Sequence, residues 1–193
     1  MERAIALSER SLALPRSIAV ILGAALVTAA AQISVPLLGT PVPMTLQPLA
    51  VLLVGGLLGA RLGAASMVLY LALGIAGLPV FTPTVPLLGV ARLLGPTGGY
   101  LLAYPVAAFA TGWVIPGLAP GVNTPYWARV AAGVLCGLLL IHAGGLAQLA
   151  ILTGDLSGAA RLATLPFLLG DLGKLAVAVA VLAKLTPAVR ARL

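Results

Sequence analysis

Two side chains of opposite charge stand three residues apart in an apolar stretch near the carboxyl end of the chain. Asp171 and Lys174 belong to the run Gly170-Asp171-Leu172-Gly173-Lys174. Ionisable residues in a membrane helix face the bundle interior or a wet cavity, and positions i and i+3 share a helical face. The pair therefore predicts an acceptor and a donor for a small polar ligand. Two alternatives stay open: an ion pair that only eases insertion or fixes helix register, and a proton relay.

Three more polar residues are candidates for ligand contact. Arg92 stands just ahead of a glycine-rich stretch, and a guanidinium at a pocket rim suits a carboxylate, although a solvated loop arginine is the alternative. Gln47 can hydrogen-bond a ligand or cap the helix that it begins. His142 is alone in an apolar stretch, so we interpret it as a hydrogen-bonded core residue rather than a ligand. Thr97 is a candidate helix cap.

Patterns for catalysis, for metal binding and for nucleic-acid binding are missing from the sequence. The residue after Lys174 is Leu175, and G-x-x-x-x-G-K-[ST] does not occur, so ATP binding through a phosphate loop is excluded. Cys136 is the only cysteine, so a cluster of thiolates that binds a metal is excluded. Serine, histidine and acidic residues do not occur in the order of any known hydrolase triad, so catalysis is not expected. The basic residues stand singly at the ends of apolar runs, unlike a nucleic-acid-binding cluster. We expect no enzyme activity, no cofactor and no metal.

The elements that position these residues are predicted to be membrane helices. The 193 residues are 61% hydrophobic and 8% charged, whereas soluble domains carry about a quarter charged residues. Too few polar residues remain to cover a globule, so the apolar excess faces lipid. We predict an all-α membrane protein, a bundle of six transmembrane helices forming a single integral membrane domain over 1–193. The spans lie at about 17–33, 47–60, 63–76, 97–115, 130–152 and 165–185.

The distribution of basic residues predicts the orientation of the bundle. Eight of them fall on one side of the predicted membrane and two, Arg92 and Arg161, on the other, which puts both termini in the cytoplasm. The connections from Ser34 to Leu46 and from Gly77 to Pro96 then lie outside. Both are more apolar than free loops, so we expect them to fold back as lids. The eight residues are Arg3, Arg10, Arg16, Arg61, Arg129, Lys184, Arg190 and Arg192.

Small residues in the first span form a possible contact face for another helix. Ala25 and Ala29 have the small-xxx-small spacing that lets a second helix approach closely. That helix belongs either to this chain or to a partner.

Taken together, five motifs in this order resemble the BioY family, the biotin-specific S components of energy-coupling factor (ECF) transporters. The resemblance covers nearly the whole chain. It implies a six-helix bundle of the ECF S-component type with a vitamin site near the external face. The motifs are Ala31-Gln32-Ile33-Ser34-Val35-Pro36, Pro41-Val42-Pro43-Met44-Thr45-Leu46-Gln47, Gly77-Leu78-Pro79-Val80-Phe81, Gly95-Pro96-Thr97-Gly98-Gly99-Tyr100 and Asp171-x-x-Lys174.

The resemblance also implies roles for the candidate residues. Asp171 and Lys174 would hold the ureido head group of biotin, with the acid accepting from a ring N–H and the lysine donating to the carbonyl. Arg92 would reach the valerate carboxylate. Thr45, Gln47, Phe81 and Tyr100 would complete the substrate site. The chain departs from the family after Phe81, where Thr82-Pro83-Thr84-Val85-Pro86 stands, and Thr82 or Thr84 is the candidate replacement for the family's polar contact.

The function predicted is capture of biotin at the external side of a prokaryotic cell membrane by a multi-pass subunit that hydrolyses nothing itself. The resemblance implies a transmembrane coupling subunit and two ATPase subunits as partners, with Ala25 and Ala29 on the docking face. Biotin is the transported ligand and the bilayer the surroundings. A proton-coupled carrier or a channel gated by Asp171 and Lys174 is the alternative function. A membrane-embedded enzyme is a third, without a catalytic constellation to support it.

Overall fold

A helix occupies each of the six predicted spans in a computed structural model, which describes residues 15–116 and 124–193. The bounds are α1 Arg16–Gln32, α2 Gln47–Leu58, α3 Ala60–Ile75, α5 Gly98–Val114, α6 Tyr126–Thr153 and α8 Leu168–Arg190. Two shorter helices, α4 Val90–Leu94 and α7 Leu156–Ala163, lie between them. Arg3, Arg10 and most of the turn from Ala119 to Pro125 fall outside the described residues.

Proline and glycine mark several of the helix ends, as their backbone preferences require. Pro15 and Pro125 stand immediately before α1 and α6, where a missing N–H costs nothing. Gly59 has φ +83° and breaks the chain between α2 and α3, and Gly154 ends α6 in the left-handed conformation at φ +69°. Asp155 then caps α7, accepting hydrogen bonds from Ser157. The hydrogen bond from the Ser157 hydroxyl, followed by those from the Gly158 and Ser157 backbone N–H groups, lowers the pKa of this exposed carboxyl.

The structure departs from the all-α prediction in the first long connection. Ser34–Val35 forms strand β1, which pairs antiparallel with strand β2, Met44–Thr45, in the register Ser34 with Thr45. Two residues per strand are too few for an alternating pattern, so the sequence carries no strand signal there. The hairpin brings the segment between Val42 and Thr45 back over the ends of the helices.

The last predicted span also differs in its bounds. The polar stretch ahead of it, predicted as a connection, is helix α7, and a 3-10 turn over Leu165–Phe167 links it to α8. Helix α8 then continues to Arg190, five residues past the predicted end. Pro187 lies within its last turns and does not end it.

The outer surface of the bundle is apolar, and its interior is filled by buried aliphatic and aromatic side chains. Val51, Leu52, Met67 and Tyr70 have no solvent-exposed surface. Two helical segments, Tyr126–Thr153 and Leu156–Arg190, are long and apolar enough to cross a membrane, and α1, α2 and α3 are shorter apolar helices. Exposed apolar residues occur along most of the helices, for example Ile21 and Leu22 on α1, Val68 on α3, Leu139 on α6 and Leu169 on α8.

Helices α5 and α6 approach each other closely because glycines line their contact. A Cβ added at Gly144 would lie 2.5 Å from the carbonyl oxygen of Gly99, and one at Gly145 would overlap the ring of Tyr100. A Cβ at either position would lie closer to its neighbour than real contacts allow, so positions 144 and 145 require glycine. The close approach brings Tyr100 on α5 and His142 on α6 toward the same space.

Basic residues gather at one end of the bundle, where the chain ends. Arg190 donates to the carbonyl oxygens of Gly56, at 2.7 and 3.1 Å, and of Gly112, at 3.3 Å. Arg129 donates to Pro116 at 2.8 Å. Helix ends carry free carbonyls, so these guanidiniums satisfy acceptors that lipid cannot.

Candidate functional site

A cavity of about 520 Å³, measured to its open mouth, lies between the two long connections and helices α2, α5, α6 and α8. Small-molecule sites commonly combine apolar walls with a few polar groups, as this cavity does. Six of the seven predicted substrate-binding residues line it: Thr45, Gln47, Arg92, Tyr100, Asp171 and Lys174. The other lining residues are Val42, Pro43, Pro48, Thr82, Thr97, Leu101, Tyr104, Ile141, His142 and Phe167.

Asp171 and Lys174 form a buried ion pair on the wall of this cavity. The ammonium Nζ of Lys174 donates to Oδ1 of Asp171 at 2.9 Å, and the two residues are 7% and 4% exposed. Asp171 lies in the first turn of α8, where the helix dipole favours a negative charge. The pair thus lines the cavity and is not on the outer surface of the bundle, and its binding role stays a prediction.

His142 is the residue that the sequence interpretation undervalued. Its Nε2 lies 2.6 Å from Oδ2 of Asp171, so the carboxylate receives one donor from α8 and one from α6. The prediction of a hydrogen-bonded histidine is correct, but its partner is the candidate site acid and its ring lines the cavity. Twenty-nine residues separate the two partners. Only the packing of α6 on α8 brings them together.

Arg92 is neither solvated nor free, contrary to the alternative of a loop arginine in water. It is 1% exposed, and its guanidinium donates to the carbonyl oxygens of Val85 at 2.5 Å and Thr82 at 3.0 Å. The ring of Phe81 lies 5.9 Å below it. Burial lowers the pKa of Arg92, but a guanidinium stays charged at neutral pH. The residue thus closes the second long connection and adds positive charge to the cavity wall.

Gln47 and Thr45 belong to a hydrogen-bonded group at the start of α2. The amide Nε2 of Gln47 donates to the hydroxyl of Tyr70 at 2.6 Å, and its Oε1 accepts from the hydroxyl of Thr45 at 3.2 Å. Gln47 therefore does not cap α2 with its side chain. Tyr104 also lines the cavity.

The aromatic wall of the cavity joins three elements. Tyr100 donates from its hydroxyl to the carbonyl of Ala163 in α7, and its ring meets those of His142 and Phe167 at 6.2 and 6.5 Å. Thr97 precedes α5, yet its hydroxyl caps nothing and is buried without a partner in the described chain. Thr97 thus occupies the predicted cap position before α5, but its side chain makes no capping hydrogen bond.

Phe81 is the predicted site residue that the structure does not bring to the cavity wall. Its ring packs edge-on against Tyr70 at 5.4 Å and supports Arg92 from behind. Thr82, one residue further, lines the cavity instead, with its hydroxyl 3.1 Å from that of Thr84. Phe81 therefore lies behind the wall, with the Arg92 guanidinium over its ring.

Ala25 and Ala29, the predicted partner-binding residues, do not line the cavity. Both are exposed on α1, whereas the neighbouring Gly23, Ala24 and Val27 are buried against the rest of the bundle. Within the part of the chain that the structure describes, this alanine pair is therefore not buried against another helix. The face that they form is open to lipid or to another protein.

Comparison with known proteins agrees with the resemblance carried by the motifs. Residues 5–191 match the model of the BioY family. The chain belongs to the BioY family. This match confirms the resemblance that the five motifs indicate, and it spans all six long helices.

The alignment of this chain with two BioY relatives covers most of the length of each relative. The "Probable biotin transporter BioY" of Pyrococcus horikoshii is 41% identical over 161 residues, which are 83% of this chain and 90% of that protein. The "Biotin transporter BioY" of Thermotoga maritima is 39% identical over 154 residues, 80% of this chain and 85% of that protein. Both carry transporter names, and the prediction that this BioY chain is not an enzyme is confirmed.

A solved structure has the same fold. The S-component for biotin from an ECF-type ABC transporter matches this BioY chain with a TM-score of 0.78 and 28% identity. The match covers 88% of this chain and 89% of that one. The chain is therefore a mostly helical membrane protein with the fold of an ECF S-component.

The geometry of Arg92 predicts that a lysine cannot replace it. In Arg92→Lys, a single nitrogen replaces the two that donate separately to the Val85 and Thr82 carbonyls, so the geometry for at least one bond is lost. Each charged hydrogen bond contributes about 1.5–3 kcal/mol. We expect hydrogen exchange of the amides between residues 82 and 92 to become at least about tenfold faster, measured by mass spectrometry. The matched control is Arg161→Lys, which makes the same change at an exposed arginine of α7. Equal protection of these amides in both variants would contradict the role of Arg92 in holding the Val85 and Thr82 carbonyls.

Proposed function

We propose that this BioY chain binds biotin as the substrate-binding subunit of an ECF transporter. The observation that carries the proposal is the buried Asp171–Lys174 ion pair on the cavity wall. Biotin has a ureido ring with two N–H donors and one carbonyl acceptor, and a carboxylate at the end of an aliphatic chain. A carboxylate and an ammonium side by side complement the ureido ring. Arg92 supplies the positive charge for the distant carboxylate.

The apolar part of the cavity suits the remainder of the same ligand. Val42, Leu101, Ile141 and Phe167 contribute apolar surface between the polar groups. A thioether ring and a four-carbon chain offer only apolar contacts, and their transfer from water contributes about 25 cal/mol per Å² buried. One cavity thus combines a ureido-binding pair, an apolar middle and a buried cation.

The biotin site is tested by titrating purified protein in detergent and measuring the dissociation constant by calorimetry. We expect Asp171→Asn to weaken biotin binding by about 10- to 100-fold, because a charge-assisted hydrogen bond is lost and Lys174 is left buried without its partner. Asp155→Asn, an exposed acid in the α6–α7 turn, is the control and should bind as the wild type does. A wild-type protein that does not bind biotin would refute the function, and unchanged affinity in Asp171→Asn would refute the site.

The orientation follows as a second part of the proposal: α1, α2, α3, α5, α6 and α8 cross the membrane as one domain, with both termini in the cytoplasm. Arg190, Arg129 and Arg16 make their contacts at the end where the chain terminates, and Arg16 donates to the carbonyl of Leu193 at 3.4 Å. Positive residues favour the cytoplasmic side. The mouth of the cavity then opens to the outside of a prokaryotic cell.

Single cysteines report this orientation. Cys136→Ser removes the sole cysteine, after which Ser157→Cys in α7 and Ala191→Cys beyond α8 each place one exposed thiol. An impermeant maleimide applied to intact cells should label position 157 and leave position 191 unlabelled until the cells are opened. Labelling of position 191 in intact cells would overturn the orientation.

The exposed alanines of α1 support a partner subunit as the third part of the proposal. Ala25 and Ala29, flanked by the exposed Leu22 and Leu26, form a shallow apolar face where a helix of a coupling subunit can pack closely. That subunit and two ATPases would supply the energy. The alternative, a proton-coupled carrier, would use the Asp171 cluster, but the described chain shows one such cluster, on a single wall.

Co-expression with a coupling subunit and its ATPases tests this face. Ala25→Leu combined with Ala29→Leu should reduce co-purification of the partners at least about tenfold, because added side chains hold the helices apart. Ala176→Leu with Ala180→Leu changes two exposed alanines of the same spacing on α8 and is the control. Uptake of biotin that needs no ATPase and stops with a protonophore would favour the carrier instead.

A further inference from the structure

The carboxylate of Asp171 is held between two helices by two donors. Nε2 of His142, on α6, lies 2.6 Å from Oδ2, and Nζ of Lys174, on α8, lies 2.9 Å from Oδ1. Each oxygen of the carboxylate thus has one protein donor. An ionised carboxylate has about four acceptor positions, so two remain for a ligand.

The hydrogen bond assigns the proton of the imidazole. Because an ionised carboxylate only accepts, Nε2 of His142 carries a hydrogen and donates it to Asp171, while Nδ1 is buried without a partner among the described residues. The ring cannot turn freely, since Tyr100 meets it edge-on at 6.2 Å and Phe167 lies 6.4 Å away. His142 is therefore a fixed donor aimed at Asp171.

The position of this donor decides how Asp171 and Lys174 can pair. They are three residues apart on one helix, and with nothing else in reach the ammonium could bridge both carboxylate oxygens. A closed pair of that kind would neutralise itself and offer little to a ligand. In the structure Oδ2 accepts from His142 and Lys174 donates to Oδ1 alone, so the ammonium keeps two of its three N–H groups for other acceptors.

We propose that His142 is a positioning residue, which fixes the Asp171 carboxylate so that it can accept a ring N–H of the ligand while Lys174 stays free to donate. The proposal rests on the proposed function, because it takes a cyclic urea as the ligand. It predicts that His142 contributes to selectivity for ligands with a free ring N–H. The other charged group on the cavity wall, Arg92, is occupied by loop carbonyls.

Two substitutions separate the donor from the bulk of the ring. In His142→Gln the side-chain amide keeps an N–H near the place of Nε2, whereas His142→Phe keeps a planar ring without a donor. We expect the dissociation constant for biotin to rise at least about tenfold in His142→Phe and to stay within about threefold in His142→Gln, measured by calorimetry. If His142→Phe does not fold, His142→Asn, whose amide is too short to reach Asp171, takes its place.

Two further measurements distinguish positioning from a general packing role. In the Asp171→Asn background, His142→Phe should change the affinity by less than about threefold, because the two residues act through one contact. With a biotin analogue methylated on the ring nitrogens, the wild type and His142→Phe should bind within about threefold of each other. A packing role would instead weaken every ligand equally and in both backgrounds.

The outcomes separate the two proposals. If the wild type binds biotin and both His142→Phe and His142→Gln bind it as tightly as the wild type, the positioning role is overturned and the biotin function still stands. Equal losses in His142→Gln and His142→Phe would also overturn it, since a retained donor would then not matter. Wild-type protein that does not bind biotin would refute the proposed function itself, and the positioning role with it.

Discussion

A carboxylate surrounded by apolar helices must receive its hydrogen bonds from the protein, and this constraint organises the site around Asp171. One donor, Lys174, is local to α8, while the other, His142, comes from α6. A buried charge costs several kcal/mol unless it is paired and hydrogen-bonded, and the contact of α6 with α8 at this point supplies its second donor. The first turn of α8 further favours the negative charge. Asp171, the candidate acceptor for a polar ligand, thus also links α8 to α6 by a hydrogen bond.

The remaining walls depend on close backbone approach and on donors to carbonyl oxygens. Glycines at 99 and 144 let α5 and α6 pack closely, which carries Tyr100 and His142 to the cavity. Gln148 on α6 donates to the carbonyls of Leu93 and Gly95 at 2.9 Å each, and Arg92 holds two more. Since lipid offers no donors, such carbonyls need partners within the chain. The second long connection is therefore packed as a wall rather than left as a loop.

Much of the fold follows from patterns that act locally. Apolar runs interrupted by proline, glycine and charge predict the six long helices, and the observed bounds differ mainly at the last one, where α7 and a 3-10 turn precede α8. The hairpin between Ser34 and Thr45 escaped prediction because two-residue strands have no period. Pro187 lies within the last turns of α8 and does not end it, so proline alone does not mark that boundary.

The sequence by itself determined which residues carry the chemistry within one helix: Asp171 and Lys174 share a face because they are three apart, and few other ionisable residues interrupt the apolar runs. The tertiary structure decided the rest. It made His142 a partner of Asp171, turned Arg92 inward to the carbonyls of its own loop and left Phe81 behind the cavity wall. Local spacing follows from helix geometry, whereas contacts between residues ten to thirty positions apart depend on which helices and loops pack together.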